Sequence, residues 1–233
     1  MRLLVLDIEG TLFRTTIQLP GTVLDSTIWQ GIAHALGPAA IRDELRTHER
    51  WHGHKYRSYL DWMKDTIRIH QRHGLTADVF YRLIAAAEYN PGVQETLARI
   101  DRTEYELVLI SGGFRELARR AQIELGIVHA FAACEYFFSV SGALTGFNLL
   151  PCDFAGKIDF IHLLLREYGL GTQDWIFVGD GVNDVPIAQA APISVAYAGS
   201  PELRKAATYC IKNFTELTPI LAGRAVCGMR RAR

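Results

Sequence analysis

The sequence predicts an α/β protein, a parallel sheet with helices between its strands and a separate helical segment inserted after the first strand. Three observations carry this. Runs rich in branched apolar residues at Leu3–Leu6, Tyr105–Ile110 and Trp175–Val178 have the length and continuity of strands buried on both faces. Helical periodicity lies between the second and third of these, over Phe114–Leu125 and Ile158–Tyr168, where Ile158, Ile161, Leu164 and Leu165 share a face. The stretch from about Thr16 to Ala87 differs: it has no clear strand pattern, yet holds three of the four tryptophans and six of the eight histidines.

In chain order, the first strand ends at Leu6 and delivers Asp7. Residues 16–88 then form the expected all-helical insertion. Because it departs from the end of a strand, it is expected to lie as a lid at the carboxyl edge of the sheet, where open α/β folds bind ligands. Asn90-Pro91-Gly92 supplies the turn back, so residues 1–15 and 89–222 make up the core. Shorter strands are expected at Ile193–Ala196 and Tyr209–Ile211, and Tyr136–Val140 followed by Ser141-Gly142 reads as a hairpin. Residues 223–233, with four arginines and little apolar content, read as a disordered tail.

Composition narrows the partners. Among 233 residues, 49% hydrophobic and 21% charged, 25 basic side chains balance 25 acidic ones, which removes the electrostatic argument for nucleic acid or an anionic membrane. No stretch approaches the ~20 apolar residues of a membrane span, and the apolar start is too short for a signal peptide. Cys134, Cys152, Cys210 and Cys227 show no C-x-x-C spacing, so reduced thiols in a cytoplasmic protein with a small-molecule ligand are expected.

Each buried run leads into a polar group: Asp7, Ser111, and Asp180 one glycine beyond the third. In a parallel sheet these ends share one edge. Each lies beside glycines, in Glu9-Gly10-Thr11, Ser111-Gly112-Gly113 and Gly179-Asp180-Gly181, where backbone N–H groups can approach an anion. Singly, an Asp at a strand end is also a helix cap. Together they suggest a phosphate and divalent-metal site.

Asp7-Ile8-Glu9-Gly10-Thr11, Ser111-Gly112-Gly113-Phe114, Lys157 and Gly179-Asp180-Gly181-Val182-Asn183-Asp184 resemble the four ordered motifs of the haloacid dehalogenase superfamily. The insertion is similar to that superfamily's helical C1 cap, and the last motif with the Tyr136–Gly146 hairpin resembles its phosphoserine phosphatase branch. The resemblance implies a Rossmann-like core and Mg²⁺-dependent transfer of phosphate from a small-molecule ester through a phospho-aspartate. Asp7 would be the nucleophile. The metal would sit among Asp7, Asp180 and the backbone carbonyl of Glu9, with Asp184 as a further metal residue, holding a metal water or orienting Lys157. Ser111 and the N–H groups near Gly112 would bind phosphate oxygens, Asn183 would contact phosphate or substrate, and Lys157 would neutralise developing charge. Glu9 departs from the superfamily's commonest motif, which has aspartate there. It keeps a protonatable carboxyl for acid and base work, and some branches use the same D-x-E arrangement.

In the insertion, His48, His52 and His54 have zinc-like spacing, but with no completing ligand they read as a solvated helix face beside Arg50, Lys55 and Arg57. Trp51, Tyr56, Tyr59 and Trp62 read as packing residues. Where phosphoserine phosphatases hold the amino acid end of their substrate with a glutamate and a cap arginine, alignment puts Thr27 and Thr66, with Asp25 or Arg68 one small register shift away. Two threonines favour a neutral, hydroxylated leaving group such as a sugar. Phosphoserine hydrolysis or phosphoserine-to-homoserine transfer is the runner-up, and a binding module without turnover is the non-enzymatic alternative.

Overall fold

Leu3, Leu4, Val5 and Leu6 are fully buried, and the strand they form is hydrogen-bonded to a parallel neighbour on each side. The computed structural model describes residues 1–19 and 22–223. In chain order its first half holds β1 (Arg2–Leu6), β2 (Phe13–Leu19), β3 (Thr22–Asp25), α1 (Ile28–Leu36), α2 (Pro38–His52), α3 (Tyr59–Arg72), α4 (Ala77–Ala86), β4 (Ala87–Tyr89) and α5 (Val93–Ala98). Then follow β5 (Tyr105–Phe114), α6 (Arg115–Leu125), β6 (His129–Phe138), β7 (Leu144–Leu149), α7 (Gly156–Glu167) and β8 (Trp175–Gly179). The last part holds α8 (Val185–Ala190), β9 (Ile193–Tyr197), α9 (Pro201–Ala206), β10 (Tyr209–Ile211) and α10 (Leu217–Leu221), with 3₁₀ turns at Val182–Asp184 and Phe214–Glu216. No helix among the described residues is long and apolar enough to cross a membrane. Beyond Gly223, the expected tail lies outside the described residues.

The larger sheet has the strand order β10-β9-β8-β1-β5-β6-β7, parallel from β10 to β5 and antiparallel between β6 and β7. The chain adds strands on one side of β1 first (β5, β6) and on the other side afterwards (β8, β9, β10), which makes β1 the point where the winding reverses. Helices α6 and α7 start and end within two residues of their expected positions. Strand β5 runs four residues further than its apolar stretch, through Ser111, Gly112 and Gly113, and α6 begins only at Arg115.

The chain divides into two compact units. The first comprises Met1–Arg14, Tyr89–Ala132 and the chain from Cys152 onward; the second comprises Thr15–Glu88 and Ala133–Pro151. The second unit has four helices, α1 to α4, but it is not the all-helical segment the sequence led us to expect. It also has strands that helical patterning does not reveal, since β2 and β3 pair antiparallel and β4 completes a three-stranded sheet. β-branched Thr15, Thr16, Ile17, Thr22 and Val23 favour the extended chain there.

The hairpin β6–β7, assigned to the core from the sequence, continues into this second unit, and side-chain contacts explain why. Tyr136 on β6 hydrogen-bonds through its hydroxyl to His70 Nδ1 at 2.7 Å and packs against Phe80, whose ring centroid is 5.2 Å away. The hairpin backbone is tied in as well: Ala77 N donates to Gly142 O and Leu144 N to Leu75 O. Burial pushes the His70 imidazole down to about 3, so it stays neutral at physiological pH.

Candidate active site

Register brings the three strand ends together. Leu6 of β1 lies level with Leu109 of β5 and Val178 of β8, so Ser111 stands two residues past the Leu6 level, and Asp180 stands two past it on the other side. Asp7 follows Leu6 directly, its backbone N–H donating to Val178 O at 2.9 Å. Asp7, Ser111 and Asp180 thus converge at the carboxyl edge, Asp7 and Asp180 directly after β1 and β8 and Ser111 near the end of β5.

Lys157, in the first turn of α7, is completely buried beneath them. Its ammonium donates to Asp7 Oδ1 at 2.6 Å and to Asp184 Oδ1 at 2.7 Å. Asp184 uses its other oxygen, Oδ2, to accept from the backbone N–H groups of Asp180 and Gly181, which fixes the turn carrying Asp180. Asp7, Asp180 and Asp184 each offer a carboxylate oxygen, all within 4.8 Å of one another; among the described residues this is the group of acidic, imidazole or thiol side chains able to share one ion. The side chain of Glu9 is not in that group. Its carboxylate lies over Gly113, where a Cβ would come within 2.7 Å of Oε2.

Burial dominates the electrostatics. It raises the Asp7 carboxyl well above the ordinary carboxylate range; the Lys157 ammonium opposes this, and Asp184 and Asp180 add to it. Asp180 is pushed up to about 7 by burial and then by Asp184. For Lys157, burial works against the charge, but Asp184, Asp7 and Asp153 overcome it and hold the ammonium protonated. Several buried carboxyls share one cation, and the surplus of negative charge is what a bound divalent ion would neutralise.

Ser111 is buried, and its Oγ accepts from Gly113 N at 2.9 Å, which leaves its own proton available to donate. Gly112 has no room for a side chain, because a Cβ would overlap the carboxyl of Asp153. Gly10, at φ 88°, needs glycine on two counts: the left-handed backbone, and the Asp180 carboxyl that a Cβ would strike.

Three further residues complete the arrangement. Thr11, fully buried, donates its hydroxyl to Asp180 Oδ1 at 2.9 Å. Asn90 donates its carboxamide to the carbonyls of Gly10 and Thr11, both at 2.9 Å, and so pins the loop after Asp7. Asp153, in the turn before α7 and four residues before Lys157, lies 3.8 Å from its ammonium and accepts from Asn183 Nδ2 at 2.8 Å. Sequence reasoning gave none of the three a role at the site: Thr11 stood only within the first motif and Asn90 only in the turn back to the core. Only Asp153 carried a local signal, its i,i+4 spacing to Lys157.

The substrate candidates of the second unit have local partners. Thr27 is the N-cap of α1, with Gln30 returning a reciprocal bond. Thr66 is buried on α3; its hydroxyl donates to Trp62 O at 3.2 Å and lies 3.5 Å from Thr47 Oγ1. Trp51 and Trp62 stack at 4.9 Å with Tyr59 edge-on, and His48 packs edge-on against Trp62. Arg68 is exposed and lines an open cleft of about 370 Å³ with Arg50, Arg57 and Lys64.

Residues 1–192 match the family model of the haloacid dehalogenase-like hydrolases. The chain belongs to this family. Among curated relatives, the phosphoserine phosphatase of Streptomyces coelicolor is 27% identical over 215 residues, covering 88% of this chain but 46% of that protein. The chain therefore spans about half the length of that relative. The phosphoserine phosphatase of Streptococcus thermophilus is 28% identical over 213 residues, covering 90% of this chain and 89% of that one. A solved structure described as a phospho-aspartyl intermediate analogue of phosphoserine phosphatase superposes with a TM-score of 0.72 at 20% identity, covering 96% and 99% of the two chains, and so shares the family fold. That fold is the parallel-sheet architecture the sequence predicts.

Proposed function

We propose that this chain hydrolyses a phosphate monoester of a small metabolite, with Asp7 as nucleophile and Mg²⁺ as cofactor. The observation that carries the reading is the convergence on one buried lysine: Asp7 and Asp184 both accept from Lys157, and Asp180 completes an acidic group with them. Three clustered carboxylate oxygens are a donor set suited to a hard divalent cation, and the raised Asp7 and Asp180 carboxyls mark the charge it would offset. Asp7 and Asp180 would hold Mg²⁺ with the Glu9 carbonyl, Asp184 supporting from behind. Bound there, the ion would supply charge neutralisation between the nucleophile and the phosphate.

The residues then divide the work. Asp7 Oδ1 is engaged by Lys157, so Oδ2 attacks phosphorus and forms the aspartyl phosphate as the ester P–O bond breaks. Glu9, protonated, gives its proton to the departing alkoxide. The resulting carboxylate takes a proton from water, whose oxygen attacks phosphorus, releases inorganic phosphate and restores Asp7. Ser111 O–H, Gly112 N–H and the Asn183 amide donate to phosphate oxygens, and Lys157 balances the charge that grows on them.

Among small phosphate esters, L-phosphoserine is the first candidate. It is the substrate in the names of the relatives at 27% and 28% identity. The expectation of a neutral, sugar-like leaving group rested on Thr27 and Thr66, and both hydroxyls have local partners. The test is inorganic phosphate release from a panel holding L-phosphoserine, several sugar phosphates and an aryl phosphate, with Mg²⁺ and with excess chelator. Release is expected in Mg²⁺ and not in chelator, L-phosphoserine ranking first in kcat/KM. Inertness across the panel would leave the binding-module reading, and full activity in chelator would remove the metal.

A further inference from the structure

Asp153 has no part in the chemistry above, yet it touches three of the segments that build the site. Its side chain is 6% exposed. Oδ1 accepts from Asn183 Nδ2 at 2.8 Å and lies 3.8 Å from the Lys157 ammonium. The carboxyl also packs on the bare face of Gly112. Phe154 is one of three non-glycine residues with left-handed backbone among the described residues, at φ 49°, and it opens the turn into α7, with Lys157 N donating to Phe154 O. One carboxylate therefore links the Ser111-Gly112 strand end, the lysine-bearing helix and the 3₁₀ turn at Val182–Asp184.

The consequence falls on Asn183. A carboxamide has a donor edge and an acceptor edge of nearly the same shape, and only its neighbours decide which faces a ligand. Burial raises the Asp153 carboxyl while the Lys157 ammonium and the Asn183 bond oppose this, and Oδ1 is the acceptor toward Asn183, which selects the Nδ2 edge. One amide proton goes to Asp153, and the second remains for an anion. Asn183 Oδ1 is turned the other way, over the α-carbon of Gly181, where a Cβ would collide with it.

We propose that Asp153 is a positioning residue of the phosphate site: it orients the Asn183 amide as a donor toward the bound phosphate and sets it against the Lys157 helix. This rests on the phosphate site proposed above, so its test reads binding rather than turnover. Affinity for inorganic phosphate, with Mg²⁺ present, is measured by calorimetry for Asp153→Ala, Asn183→Ala, the double variant and Asp153→Asn. Each alanine variant is expected to weaken binding about 10- to 100-fold, the range of a hydrogen bond to a charged group. The double variant is expected to be within about twofold of the weaker single one, because both remove the same interaction. Asp153→Asn can still present an oxygen to Asn183 Nδ2 and should come within about threefold of the parent.

A second readout needs no ligand. The Asn183 side-chain N–H₂ pair in a ¹⁵N spectrum, assigned by its loss in Asn183→Ala, should show one proton displaced by the carboxylate in the parent and returned to the ordinary position in Asp153→Ala. Additive losses in the cycle, or an unmoved amide pair in a folded Asp153→Ala protein, would overturn the proposal. If no ester is hydrolysed but the cycle is coupled and the pair moves, the catalytic reading fails and the positioning role stands. Normal hydrolysis with additive losses would do the opposite, removing the positioning role and leaving the catalytic reading in place.

Discussion

Asp7→Asn is expected to lower kcat by at least about 10⁴-fold, as removal of a nucleophile does in enzymes that form a covalent intermediate, while the protein stays folded. Asparagine keeps the shape of the side chain but lacks the oxyanion that would attack phosphorus. Folding should not suffer, because burial already raises the Asp7 carboxyl and a neutral group removes that strain. Lys157 keeps its second partner, Asp184 at 2.7 Å. Phosphate release and a thermal melt on the same preparation check both halves. Turnover within tenfold of the parent would take Asp7 out of the mechanism, and an unfolded variant would show that its charge is structural.

Lys157→Met is expected to fail in the opposite way, losing both activity and stability. The lysine is wholly buried between carboxylates, and removing one side of a buried ion pair leaves uncompensated charge, typically at a cost of about 3 to 5 kcal/mol. The deficit should depend on pH, with a definite sign. A buried acid whose folded pKa lies above its unfolded one keeps a proton in the fold that the unfolded chain has released, so stability falls as pH rises from the ordinary carboxylate range through the raised value. Asp7 already behaves this way and, without the ammonium, rises further. The variant should therefore lie closest to the parent near pH 5 and farthest from it near pH 8. Denaturant melts at those two values measure this, and a deficit that grows as the pH is lowered would contradict it.

What the sequence disclosed follows from how local each signal is. The apolar runs Leu3–Leu6, Tyr105–Ile110 and Trp175–Val178, interrupted only by Glu106, are each followed within two residues by a polar one, so strand, burial and the site residue beyond it are written within a few positions; Asp7, Ser111 and Asp180 were legible for that reason. Lys157 and Asp184 needed the ordered motifs, because nothing in α7 alone says that its first-turn lysine is buried. Thr11 and Asn90 were not legible. The partner of Thr11 is 169 residues away and those of Asn90 are 79 and 80 residues away, and either residue reads locally as an ordinary turn former. Strands β2 and β3 were hidden by their mixed polarity, although the Pro20-Gly21 pair between two β-branched stretches was a turn signal. The hairpin β6–β7 was readable as a hairpin, but its place with His70 and Phe80 depends on side chains about 60 residues earlier in the chain.

Phosphate that passes through the Asp7 side chain can be trapped there as an aspartyl phosphate. The protein is mixed with a radiolabelled phosphate ester that it hydrolyses, quenched in acid within the first turnovers, and digested. An aspartyl phosphate is an acyl phosphate, so its label should be released by hydroxylamine and should map to the peptide containing Asp7. Passage through Asp7 predicts such a label approaching one per chain during the burst and absent from Asp7→Asn. Normal phosphate release with no labelled chain at any quench time, or a label on a different residue, would contradict it.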